Sequence, residues 1–156
     1  MKNTSNRRTY IYITFGLYSI LILFMMFIAY PGVNRLERLN DRMDYNLTPF
    51  HTIKDMIYSN RHTFFDRVIV NLVGNIVGFT PIGIFLPIIF KKLRNFWKFS
   101  LFFIGMMTFL ELSQLFLRVG VADIDDVILN YLGGVLGFLL FKFFNTKFNL
   151  NLQLIK

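Results

Sequence analysis

The residues best equipped for chemistry lie late in the chain, where carboxylates and carboxamides recur at helical spacing. Glu111, Gln114 and Arg118 are spaced i, i+3 and i+7, and Asp123, Asp126 and Asn130 repeat that spacing with Asp125 beside them. Asn71 and Asn75 stand four apart further upstream. On helices each set occupies one face, joined by Gly78, Gly133 and Gly137 on the same faces. Grouped carboxylates can move protons, and with carboxamides they can bind a polar ligand through hydrogen bonds. Glu111, Asp123 and Asp126 are also the oxygen donors that a hard divalent cation such as magnesium or calcium would use. Their spacing matches no standard metal loop. An Asp at a helix start has a structural use as well, since it caps free N–H groups and favours the positive end of the helix dipole.

Long apolar runs must position these residues. Of the 156 residues 54% are hydrophobic and 20 are Phe, more than a soluble domain of this size can bury but acceptable against lipid. Four runs, about 10–31, 68–90, 96–117 and 125–144, are each long enough to span a hydrocarbon core as a helix. The expectation is an all-α integral membrane bundle of four transmembrane helices in a single domain over 1–156, with an outer loop at 32–67. The first run follows a basic tip (Lys2, Arg7, Arg8) and ends in Ala29-Tyr30-Pro31-Gly32 without a signal-peptidase pattern, so it reads as a retained helix. The second run contains Pro81 and Pro87, which predict a kink and packing against protein on one side.

Lys and Arg set the orientation. Ten fall in the N-terminal tip, the 91–98 connection and the C-terminal tail, against seven in the 32–67 loop and the 118–124 connection. The cluster Lys91, Lys92, Arg94, Lys98 predicts both termini in the cytoplasm and the polar stripes toward the outer face. In that frame Asn75, Glu111 and Asn130 each lie roughly 8 to 10 Å inside the outer boundary, at about 1.5 Å per residue. A charge within a span costs about 2.5 to 3.5 kcal/mol on insertion scales and is turned toward a cavity or partner. Arg118 would pair with Asp123, Asp125 or Asp126, and Asn75 and Asn130 would donate to Glu111. Two readings remain open: an interhelical hydrogen-bond network that fixes the bundle, and a polar pocket open to the outer leaflet. Thr48-Pro49 is a candidate start for a short interfacial helix bearing Phe50, Ile53 and Ile57.

Other classes find little support. The net charge of +8 is dispersed between apolar runs and forms no nucleic-acid stripe. Without cysteine there are no disulfides or thiolate metal sites. His51 and His62 lack a paired ligand pattern and read as solvated loop residues. Asn46-Leu-Thr48 is a formal glycosylation sequon, and Pro49 makes a turn equally natural there. No nucleophile elbow, P-loop or zinc signature is present, so catalytic residues are not assigned. The segment from Asn71 to Phe79 aligns with Asn130 to Phe138, which suggests a parallel repeat of two helical hairpins.

On these residues the chain resembles the VanZ-like family of bacterial membrane proteins. Asn46-Leu-Thr-Pro49-Phe50 resembles the family's outer-loop motif, Asn75-Ile-Val-Gly-Phe79-Thr-Pro81-Ile-Gly83 its Asn-x-x-x-Phe-x-Pro-x-Gly helix, and Glu111-Leu-Ser-Gln114 its Glu-x-x-Gln. The most specific block is Asp123-Ile-Asp125-Asp126-Val-Ile-Leu-Asn130-Tyr-Leu-Gly133-Gly134. Family members often have an aromatic before the first Asp and a Thr after the Asn, where this chain has Ala122 and Tyr131; the latter sets a bulky ring beside Asn130. The resemblance implies a role in the cell envelope at the bacterial cytoplasmic membrane, with teicoplanin or lipoglycopeptide tolerance as the associated phenotype. The implied partners are membrane lipids and a lipid-linked envelope precursor or lipoglycopeptide; the polar cluster read from the spacing, Asn71, Asn75, Glu111, Gln114, Arg118, Asp123, Asp125, Asp126 and Asn130, is the candidate ligand-binding or structural site. An enzyme acting on lipid head groups, with Glu111 or an Asp as acid or base, is the alternative, as is a small transporter or assembly partner without a site of its own.

Overall fold

The computed structural model describes residues 2–28, 45–58 and 72–147. Asn71, His62 and most of the 32–67 loop lie outside the described residues. Helix α1 (Lys2–Phe27) begins within the basic tip, earlier than hydropathy suggests, because Lys and Arg are good helix formers even where they cannot enter lipid. Helix α2 (His51–Tyr58) is the short helix anticipated after Thr48-Pro49. Helix α3 (Gly74–Ile89) follows residues 72–73 in π-helical conformation and carries Pro81 and Pro87 inside it.

A 3-10 turn, Lys91–Arg94, reverses the chain into α4 (Phe96–Phe116), whose first turn is capped by Asn95 accepting the Lys98 N–H at 3.1 Å. Arg118 ends α4 at φ 54°, with its own N–H on the Leu115 carbonyl and the Val119 N–H on the Gln114 carbonyl. That pair of bonds is the Schellman closure that glycine usually makes. After it, helix α5 (Ile124–Lys147) returns through the bundle. Two-residue strands β1 (Tyr45–Asn46) and β2 (Ala122–Asp123) pair in parallel, Tyr45 opposite Ala122 and Asn46 opposite Asp123.

The core is aromatic. Phe79, Ile82 and Leu86 of α3, Phe99, Phe103 and Met107 of α4 and Phe138 of α5 form one buried cluster. Ring centroids lie 4.7 Å apart for Phe99 and Phe138 and 5.3 Å apart for Phe99 and Phe103, a packing mode worth more than the area buried. Helices α3 and α5 make the closest contact and run in the same direction. A Cβ on Gly133 would strike the Ile76 carbonyl, one on Gly137 the Thr80 carbonyl, and one on Gly83 the Gly134 carbonyl. Glycine is required at these positions because the two backbones touch. Helix α1 lies outside this core, antiparallel to α3. Its Tyr18 hydroxyl donates to the Gly78 carbonyl at 2.6 Å, and its Phe15 ring sits 5.7 Å from Phe85.

Three helices are long and apolar enough to cross a membrane: α1 from Arg8 onward, α4 and α5. Helix α3 is apolar but shorter, at 16 residues. Leu17, Leu101, Phe109, Leu139 and Phe143 point outward from the long helices. Apolar side chains on both faces of a helix call for lipid as solvent, and this is a membrane protein.

Candidate functional site: the acidic end of the bundle

The polar stripes meet at one end of the bundle, where α1 finishes, α3 and α5 start and α4 stops. Asp123 is the cap of α5: its Oδ1 accepts the Asp125 N–H at 2.8 Å. Its Oδ2 accepts a short bond from the Thr52 hydroxyl and a longer one, 3.5 Å, from Asn46 Nδ2. Asn46 also donates to Thr52 Oγ1 at 3.0 Å and accepts the Thr48 N–H at 3.1 Å, an Asx turn. Asp125, with no exposed surface, accepts the Phe50 N–H at 2.5 Å and the Ile53 N–H at 3.2 Å. It therefore caps α2, a helix from a distant part of the chain. Two carboxylates thus fasten residues 45–58 across the end of the bundle.

Below this strap, Glu111 is buried and accepts the Asp123 N–H at 3.4 Å. Asn75 Nδ2 donates to Asp126 Oδ1 at 2.9 Å, whereas the sequence suggested Glu111 as its partner. Helical side chains lean toward the N-terminus of their own helix, which swings both Asn75 and Asp126 toward the acidic end. Gln114 Nε2 donates to the Met26 carbonyl at 3.0 Å and ties down the last turn of α1. Asn130 is buried one turn beyond Asp126 along α5. Among the described residues its carboxamide oxygen has no hydrogen-bond partner. Asn75, Glu111, Gln114, Asp123, Asp125, Asp126 and Asn130 thus come to one end, with Arg118 at the close of α4.

Sequence reasoning did not place Asn46 or Thr52 in this group. The Asn-x-Thr pattern is an Asx-turn signal; nothing local to Thr52 indicates a partner 71 positions away. Asp123 and Asp125 are poorly suited to a divalent cation. The oxygens of Asp123 and Asp125 face N–H and O–H donors, which a cation would have to displace. Among the described residues no three His, Asp or Glu side chains are grouped to hold a metal ion.

The opposite end is basic. Lys91, Lys92, Arg94 and Lys98 sit at the α3–α4 turn, with Lys142 and Lys147 at the end of α5, and no Asp or Glu occurs in 67–110 or 127–156. Arg94 closes α3 by donating to the Pro87 carbonyl at 3.0 Å while its guanidinium lies 5.9 Å from the Phe141 ring centroid.

The family model described as VanZ/LLP1 matches residues 15–145. The chain belongs to the VanZ/LLP1 family. Protein VanZ of Enterococcus faecium is 35% identical over 78 residues, which is 50% of this chain and 48% of that protein. The chain thus spans about half the length of the curated relative it matches. No solved structure matches. The VanZ/LLP1 match takes in every residue of the acidic end, from Asn46 on the strap to Asn130 on α5. Where this VanZ/LLP1 chain carries Tyr131, the ring turns to α4: it stands 6.5 Å from Phe103, and the hydroxyl donates to Ser100 at 2.9 Å. Tyr131 is therefore packed onto α4.

Proposed function

We propose that this chain is a multi-pass protein of the bacterial cytoplasmic membrane that lowers susceptibility to teicoplanin-type drugs, engaging a lipid-linked envelope precursor or the lipoglycopeptide itself at its acidic end. The observation that carries this reading is the strap. Asp123 and Asp125 hold residues 45–58 against the same end that buries Glu111 and Asn130, two polar groups that fasten no residue of the strap and are costly to bury for packing alone. Membership of the VanZ/LLP1 family supports the resistance role.

Four crossings with both termini in the cytoplasm fit the charges. The α3–α4 turn and the end of α5 bring six Lys and Arg to the basic end, where α1 also begins with its basic tip, an enrichment typical of the cytoplasmic side. The acidic end then faces outward, at the depth of outer-leaflet head groups. Helix α3 with residues 72–73 reaches about 27 Å at 1.5 Å per residue, close to the hydrocarbon thickness.

Teicoplanin and vancomycin susceptibility in a sensitive Gram-positive host is the test, with the wild-type chain and Glu111→Gln expressed to equal membrane abundance. Teicoplanin tolerance from the wild type, lost in Glu111→Gln, is the expected result. No tolerance from well-expressed wild type overturns the resistance role, and full tolerance from Glu111→Gln overturns the site.

A further inference from the structure

Asn130 is 2% exposed, and its buried carboxamide oxygen has no partner among the described residues. An acceptor left in that state costs about 1 to 3 kcal/mol, so a helix serving packing alone would carry an apolar residue here. Glu111, 5% exposed, receives its bond from the Asp123 N–H at 3.4 Å, beyond the usual N–H···O range. Both groups belong to the acidic end of the bundle. At about 100° per residue, Asn130 projects from α5 between the faces of Asp126, about 40° to one side, and Asp123, about 20° to the other. Helical side chains lean toward the N-terminus, so the carboxamide is aimed at the acidic end, where Asp126 meets Asn75 and Asp123 meets Glu111.

The donors that the described residues bring to this end are directed to Asp123, Asp125 and Asp126. The hydroxyl of Thr52 and the N–H groups of Asn46, Phe50, Ile53 and Asp125 are directed to Asp123 and Asp125, and Asn75 donates to Asp126. A phosphate would bring only acceptors to a place already walled by carboxylates. A neutral hydroxyl would bring one donor. A primary ammonium brings three, with a positive charge for Glu111.

We propose that the centre of the acidic end binds a primary ammonium group, its N–H bonds directed to the Asn130 carboxamide oxygen and the Glu111 carboxylate. This rests on the reading that the acidic end engages a ligand, and it names the part of the ligand that enters. The ammonium comes either from an amine-bearing lipid head group or from a soluble amine. The strap of residues 45–58 then lies on the side from which the group arrives.

Two measurements on the full chain in nonionic detergent test this. Native mass spectrometry with equal phosphatidylethanolamine and phosphatidylglycerol probes the lipid source, and calorimetric titration with ethanolamine probes the soluble source. Retention of one phosphatidylethanolamine in about tenfold preference over phosphatidylglycerol, or saturable ethanolamine binding, is expected for the respective source. In either case Asn130→Leu weakens binding about tenfold or more, and Glu111→Gln also weakens it. Asn130→Asp keeps the shape and adds a charged acceptor, so it binds at least as tightly as wild type, which keeps the test decisive if Asn130→Leu fails to fold. Equal retention of the two lipids with no ethanolamine binding overturns the proposal, as a resident water at Asn130 would produce. So does folded Asn130→Leu that binds like wild type, or Asn130→Asp that binds more weakly. Glu111-dependent teicoplanin tolerance without ammonium binding removes the ammonium site alone; ammonium binding without tolerance removes the resistance role alone.

Discussion

Phe50 and Asp125 stand 75 positions apart, yet the Phe50 N–H lies 2.5 Å from the Asp125 carboxylate while Phe50 itself adopts φ 64°. A bulky side chain in the left-handed region costs about 1 to 2 kcal/mol. A hydrogen bond to a charged acceptor contributes about 1.5 to 3 kcal/mol and offsets that strain. The turn into α2 is therefore held by a residue of α5, and the 45–58 segment is fastened by the helix against which it lies.

Asp125→Ala should release the strap while leaving the bundle folded. It strips the acceptor from the Phe50 and Ile53 N–H groups, a loss of about 2 to 4 kcal/mol felt mainly at α2. Amide hydrogen exchange should quicken across 50–58 and stay slow in the core of α4 and α5, with Asp125→Asn intermediate because it retains one acceptor oxygen. Unchanged exchange at 50–58 in Asp125→Ala would show that the carboxylate does not hold the segment.

Gly137→Ala and Gly83→Ala should each lower stability by about 2 kcal/mol or more, because the added methyl meets backbone of the facing helix, which cannot swing aside as a side chain can. Gly105→Ala is the control, since a Cβ there meets nothing within 4 Å; it should be neutral or stabilising by about 0.5 to 1 kcal/mol. Unfolding midpoints in detergent order the three. A Gly137→Ala protein as stable as wild type would mean that α3 and α5 do not meet backbone to backbone at this position.

Hydropathy made the long helices legible because lipid imposes one requirement on every residue of a span. Around α4 it also located the end of the helix, where Glu111, Gln114 and Arg118 interrupt the apolar run. The expected start of the second span, at 68–71, lies outside the described residues. At the acidic end, residue types and spacing brought the right helices to mind, since Asp123, Asp126 and Asn130 must share a face of α5. They could not assign partners. Asp123 serves as a cap and also receives Thr52, and Asp125 caps another helix, because hydrogen-bond choice depends on strap residues 71 to 75 positions away that no local pattern connects.

Tyr18→Phe should loosen α1 from the bundle. Its hydroxyl makes a 2.6 Å bond to the Gly78 carbonyl, and α1 is otherwise the least enclosed of the apolar helices. Loss of one such bond costs about 1 kcal/mol and leaves a helical carbonyl that keeps its own intrahelical donor. The measurable outcome is faster limited proteolysis at the α1 boundary with little change in the unfolding midpoint of the remaining helices. Proteolysis at the wild-type rate would assign the attachment of α1 to its apolar contacts and to the Gln114 bond at Met26.

Asn75 and Asp126 should be energetically coupled, and Asn75 and Glu111 should be coupled less. The 2.9 Å bond between Asn75 Nδ2 and Asp126 Oδ1 joins the start of α3 to the first turn of α5 just above the closest backbone contact of those helices. A hydrogen bond to a carboxylate in a low-dielectric setting should appear as a coupling of about 1 to 3 kcal/mol in a double-mutant cycle. Asn75→Ala and Asp126→Ala, alone and together, supply that cycle by reversible unfolding in detergent, and Asn75→Ala with Glu111→Ala supplies the comparison. Additivity in the first cycle would deny the bond its role. A larger coupling in the second would return Asn75 to Glu111, the pairing suggested by spacing alone, and with it would fall the view that Glu111 has acceptor capacity left for a ligand.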